Sequence, residues 1–231
     1  MVREAEPGEV AKVLGEVGRL GPYFEIVTGA DRVGGAAWRS FPEGEGERLL
    51  AVTGEYAERL GTGERRVAAS ILFQGLASRL WSPVVAAAAL GIVPDLAGLQ
   101  WRWTPGEAIA LGLAETRGWR VDGVEQAAEI VFSAVVDGRL RPLRAAFSAF
   151  VGLADGLVWG NAASALAGSL NVGPPDGARA ALVRELLSRE PLAGAGSIEA
   201  GGFVRNNCCL YYRVPGGGMC GDCGLLSRDL R

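Results

Sequence analysis

The sequence predicts a mainly helical α+β fold: a helical body, a small antiparallel hairpin or sheet, and a short C-terminal module built on cysteine. Three observations carry this expectation. Apolar residues recur at three- and four-residue spacing in several long segments. One stretch alternates residue by residue on either side of a Pro-Gly turn. All four cysteines lie between positions 208 and 223, whereas core cysteines would be spread through the hydrophobic positions of the chain.

In chain order, Glu9 to Leu20 reads as a helix, and Tyr23-Phe24-Glu25-Ile26-Val27 as a short strand. Val67, Ile71, Leu72, Phe73, Leu76 and Leu80 hold a helical period, and the alanine-rich run Val84 to Leu90 favours helix by propensity. Leu99, Trp101 and Trp103 then alternate with polar neighbours. Thr104-Pro105-Gly106-Glu107 turns the chain, and Ile109, Leu111 and Leu113 alternate again. This is a hairpin pattern. Glu125 to Val136 reads as helix, as does Arg141 to Trp159, where Leu143, Phe147, Phe150, Val151 and Leu157 recur. So does Asp176 to Arg189, preceded by Pro174 and Pro175. Residues 191–202 are small and glycine-rich, as a linker would be. The expected organisation is a helical body over 1–190, a linker over 191–202 and a cysteine module over 203–231. A module that short has no core of its own and needs a metal or a docking face.

Hydrophobic residues make up 49% of the 231 positions and charged residues 21%, enough apolar material for a substantial core. The net charge of −3 argues against a nucleic-acid binder. The N-terminal stretch is too acidic for a signal peptide. The apolar run from Trp81 to Trp101 is interrupted by Pro83, Pro94 and Asp95, so no transmembrane segment is expected. These features point to a cytoplasmic protein, where thiols stay reduced and clustered cysteines act as ligands.

The chain has no histidine, so a soft-metal site here is all-thiolate, and a Rieske centre or a histidine-based triad is excluded. Cys220 and Cys223 form a Cys-x₂-Cys half-site common to structural zinc. Cys208 and Cys209 are adjacent, which is unlike a zinc ribbon, because neighbouring side chains on extended backbone diverge. A cluster with two irons accepts divergent thiolates more readily. Spacing alone leaves zinc and iron–sulfur both open, with a slight lean to the second. The loop Pro215-Gly216-Gly217-Gly218 lets backbone amides approach sulfur, and Arg205 and Arg213 flank the first pair as candidates for tuning a negatively charged cluster.

The run from Arg205 through Cys208-Cys209-Leu210-Tyr211-Tyr212-Arg213, Pro215-Gly216-Gly217-Gly218 and Cys220-Gly221-Asp222-Cys223 resembles the C-terminal signature of the FhuF-like ferric siderophore reductases. Trp159-Gly160-Asn161-Ala162-Ala163-Ser164 and Arg79-Leu80-Trp81-Ser82-Pro83 resemble two further family segments. The resemblance implies a [2Fe–2S] cluster held by Cys208, Cys209, Cys220 and Cys223, and one-electron reduction of a ferric siderophore to release Fe(II). Asn206 and Asn207 depart from it: the family commonly has a second arginine and then serine or threonine there. That change bears on cluster potential rather than on ligation.

Candidate contacts for the chelate are Trp81, Ser82, Trp159 and Asn161 in those segments, and Tyr211 and Tyr212 beside the ligands. Each has a structural alternative: core packing for the tryptophans, helix capping for Ser82 and Asn161. No nucleotide-binding fingerprint is present, so electrons are expected from an external donor. Two rival readings stand beside the reductase. One is a helical scaffold stapled by a structural zinc; the other is an iron–sulfur electron carrier or sensor.

Overall fold

Two buried helices organise the computed structural model, which describes residues 3–42 and 46–225. The longer, α3 (Arg65–Ala89), buries residues all round its circumference between Val67 and Ala88. Its partner α6 (Asp155–Gly168) is buried without interruption from Leu157 to Ala167. Helices apolar on every face belong in the centre of a fold rather than on its surface, and these two pack more extensively on each other than any other pair of elements. Alanine, glycine and serine on both let the backbones approach closely. Fully buried side chains such as Leu72, Phe73, Leu76 and Leu80 each contribute about 1.5–3 kcal/mol.

Around this pair lie α1 (Pro7–Gly18), α2 (Gly46–Arg59), α4 (Val124–Val131), α5 (Arg141–Ser148) and α7 (Gly177–Leu187). Asp176 caps α7 by accepting from the amides of Ala178 and Arg179. α3 is long and apolar enough to cross a membrane, but 72% of its most apolar window is buried inside the protein, as in a core helix.

Three small sheets flank the helices. The first orders β1 (Arg3–Glu4), β7 (Gly118–Arg120) and β4 (Ile92–Pro94), all antiparallel. The second orders β2 (Ile26–Thr28), β6 (Ala110–Leu113), β5 (Gln100–Arg102) and β3 (Arg39–Ser40). The expected hairpin is β5–β6, with Trp101 opposite Leu111. Trp101 is fully buried and meets Phe41 edge-on at 6.1 Å. The third sheet is the hairpin of β8 (Gly196–Glu199) and β9 (Gly202–Arg205), so part of the glycine-rich stretch 191–202 is a strand.

Several expectations are corrected. The second sheet is mixed, because β2 joins the free edge of β6 in parallel. Helix α3 runs through Pro83: the cost of an interior proline, about 3 kcal/mol, is offset by burial on all sides. The helix expected over 141–159 is two helices, interrupted at 149–154. Phe150, Val151 and Leu153 pack on the core from that connection, so apolar spacing persisted where helix did not. Arg144 pairs with Asp155 across the break. Finally, α4 passes into a π-helical stretch, Phe132–Leu140, before α5.

Candidate metal centre

The cysteine module begins where β9 ends. Arg205 donates its backbone N–H to the Asp222 carbonyl at 3.0 Å, folding Cys220–Cys223 back beside Cys208 and Cys209. Asn206 bonds through its backbone to Ala195 and through its side chain to Gly194, both at 2.8 Å. Asn207 lies against Gly156 and Gly160 of α6. The two asparagines thus hold the module on the body. Leu210 is the only non-glycine residue with positive φ (71°) among the described residues, a conformation costing about 1–2 kcal/mol. In it the Leu210 amide lies 3.3 Å from Cys208 Sγ as a donor. Gly217 is required sterically: a Cβ there would sit 2.7 Å from the Tyr211 carbonyl oxygen and 2.8 Å from that of Val214.

No disulfide joins any of the four cysteines. Cys209 and Cys220 bring their sulfurs to 3.4 Å, close to the roughly 3.8 Å between two thiolates on one tetrahedral metal with bonds of about 2.3 Å. Cys208 lies within electrostatic reach of Cys209, Cys223 and Arg205. Among the described residues no three potential ligands converge on a single point. A two-iron cluster takes its thiolates in pairs, and the close pair fits one such half.

Burial raises the Cys208 thiol above its ordinary value, against the pull of the Leu210 amide and the Arg205 charge. At Cys220 burial again acts first, reinforced by hydrogen bonds to Cys209 and Asp222. Both shifts favour the thiol form of Cys208 and Cys220, so metal binding there must displace protons. At Asp222 burial acts upward but is outweighed, chiefly by a hydrogen bond from Ser164 and the Arg205 charge, so its carboxyl lies below its ordinary value.

The two candidate tuning arginines have different fates. Arg205 is buried and donates from Nε to Asp222 at 3.0 Å and from Nη1 to Asn161 at 2.7 Å. Arg213 is half-exposed and pairs with Glu64 at 2.9 Å, so its charge is largely spent on that surface carboxylate.

A cleft of about 710 Å³ opens beside the sulfurs, with Cys209, Cys220 and Asp222 in its wall. Ser82 and Tyr211 line it as well. The other proposed chelate contacts are not brought there. Trp81 is fully buried in the core and offers no face to a ligand. Trp159 is 8% exposed beneath the Arg141 guanidinium, 5.6 Å from its ring centre. Asn161 is fully buried and internally bonded. Tyr212 is exposed but outside the cleft lining.

Sequence reasoning missed Tyr23, Gln74 and Ser164, which also line the cleft, and Ser70, which donates to the Cys209 carbonyl at 2.7 Å. A signal was present. Ser70, Gln74, Ser78 and Ser82 recur every fourth residue on an otherwise apolar helix, a polar stripe along one face. The last three line the cleft.

No curated protein matches the chain. Residues 205–224 match the family model described as the FhuF 2Fe-2S C-terminal domain, the segment that gathers the four cysteines. The chain therefore carries a FhuF 2Fe-2S C-terminal domain, and its cofactor is a [2Fe–2S] cluster.

Proposed function

We propose that this protein is a ferric-siderophore reductase acting in the cytoplasm, with Cys208, Cys209, Cys220 and Cys223 as the cluster ligands. The observation that carries the reading is the cleft of about 710 Å³ whose wall contains Cys209 and Cys220. Its size falls in the range that accepts a compact organic ligand, about 300–1,000 Å³. When bound, the cluster supplies one electron, converting Fe(III) to Fe(II), which the hard oxygen donors of a siderophore hold less tightly.

The chain's own residues do the rest. Gln74, Ser78, Ser82 and Ser164 offer amide and hydroxyl groups to chelate oxygens, while Tyr23 and Tyr211 supply flat apolar faces. Asp222 is already engaged by Arg205 and Ser164. The electron comes from a donor outside the chain, either a protein or a small reductant.

Anaerobic mixing of the reduced protein with a ferric trihydroxamate and, separately, a ferric tricatecholate tests this. With at least one chelate, the cluster absorbance should return to its oxidised form while a ferrous-specific chelator traps one Fe(II) per cluster. If neither chelate oxidises the cluster, the reductase reading fails and a plain electron carrier remains.

A further inference from the structure

The Trp159-Gly160-Asn161 segment supplied two of the candidate chelate contacts, yet Asn161 touches no solvent. Its amide is spoken for on both sides. Oδ1 accepts from Arg205 Nη1 at 2.7 Å, and Nδ2 donates to the Ser70 hydroxyl at 2.9 Å and the Ser70 carbonyl at 3.0 Å. These partners fix which end of the amide is which, since a flipped Asn161 would set N–H against N–H at Arg205. Ser70 in turn donates to the Cys209 carbonyl. One side chain on α6 thereby reaches both halves of the cysteine module.

Arg205 is the unusual member. Its side chain is fully buried, and burying a guanidinium is costly unless its donors are satisfied. Nε has Asp222 and Nη1 has Asn161, but Nη2 is buried and without a partner among the described residues. Arg205 sits against the module itself: its backbone N–H donates to the Asp222 carbonyl and its Nε to the Asp222 carboxylate, between Cys220 and Cys223. A four-thiolate two-iron cluster is negatively charged and more so when reduced, so an N–H group from a buried cation stabilises the reduced state and raises the potential.

We propose that Asn161 is a positioning residue of the cluster: it holds the Arg205 guanidinium so that Nη2–H, without a partner among the described residues, donates to the cluster sulfurs. Asn161 itself touches no reacting atom. The inference rests on the cluster and not on the reductase reading, so either can fail alone.

Redox titration and EPR of loaded protein test it. N161A should lower the midpoint potential and shift the g-values of the reduced cluster at unchanged iron and sulfide content. R205Q should lower the potential further, and the N161A/R205Q double variant should be no lower than R205Q alone, because both act through one contact. A purely structural Asn161 would reduce cluster loading or stability while leaving the potential of the loaded fraction untouched, and that result overturns the proposal. Additive shifts in the double variant overturn it too. Should N161A fail to load, the wild-type chain decides. With arginine carrying ¹⁵N only in its guanidinium, pulsed EPR of the reduced cluster should show nitrogen hyperfine coupling, and its absence sinks the idea.

Discussion

Ser70 and Cys209, 139 positions apart, are joined by a 2.7 Å hydrogen bond from the serine hydroxyl to the cysteine carbonyl. The bond is buried, and it ties the longest core helix to the cysteine pair. Removing the hydroxyl leaves a buried carbonyl without this donor, at a cost of about 1–3 kcal/mol. S70A should therefore lose stability by that amount in urea unfolding of the loaded protein. It should also give up its cluster faster to an iron chelator. Wild-type rates of cluster loss would mean that the Cys209 backbone is held by other contacts.

The sulfurs of Cys209 and Cys220 stand 3.4 Å apart; on the proposed ligand set, that closeness predicts that these two share one iron and that Cys208 and Cys223 share the other. Serine substitution then acts pairwise. C209S and C220S should alter the same Mössbauer doublet of the reduced cluster, and C208S and C223S the other. If C209S and C208S changed the same doublet, the pairing would be wrong. A silent variant at any of the four positions would remove that residue from the ligand set.

The cysteine spacing, the β5–β6 hairpin and most helices were legible because each depends on local pattern alone. The chelate contacts were less so, and Trp81 and Ser82 show why. They are neighbours in one motif, but consecutive residues on a helix point about 100° apart, so Ser82 reaches the cleft while Trp81 enters the core. The Ser70-Gln74-Ser78-Ser82 stripe was visible, but only α6 and the returning β9 segment show what it faces. Arg205 and Arg213 looked equivalent beside the cysteines. Glu64, distant in sequence, separates them by engaging one. The parallel β2–β6 pairing has no local signature either, since it depends on which sheet edge is left open.

Gly75 lines the cleft, and a Cβ built on it meets nothing within 4 Å. A larger side chain there costs no overlap at its base and removes an interior helix glycine, which is unfavourable by about 0.8–1 kcal/mol relative to alanine. G75F should keep or slightly raise stability while filling the space beside Cys209. Reduction of a ferric chelate should fall at least about tenfold, or about 1.4 kcal/mol in barrier, with the cluster potential unchanged. Reduction of the cluster by dithionite should be unaffected. Undiminished chelate turnover in G75F would place the substrate elsewhere.

Gly217 and Gly218 separate steric need from mere flexibility in the ligand loop. At Gly217 an added Cβ would press on two carbonyl oxygens, whereas at Gly218 it meets nothing within 4 Å. G217A must shift the turn between the two cysteine pairs and should lower cluster content per chain, while G218A should load like wild type. Iron and sulfide analysis of the two variants, purified side by side without air, measures the difference. Equal loading would show that the loop tolerates displacement and that Gly217 does not set the sulfur positions.

Removing the cluster should divide the protein by stability. Residues 206–224 have little apolar burial of their own beyond Cys209, Val214 and Cys223, and so short a segment is held chiefly by its metal and its docking contacts. The apolar core between α3 and α6 draws none of its buried residues from that segment. In the apo protein, amides from Asn206 to Gly224 should exchange much faster than in the loaded form, while those of α3 and α6 stay protected. Helical circular dichroism should change little. Equal loss of protection in α3 would mean that the cluster stabilises the whole fold, and the Ser70–Cys209 link would then transmit that stabilisation into the core.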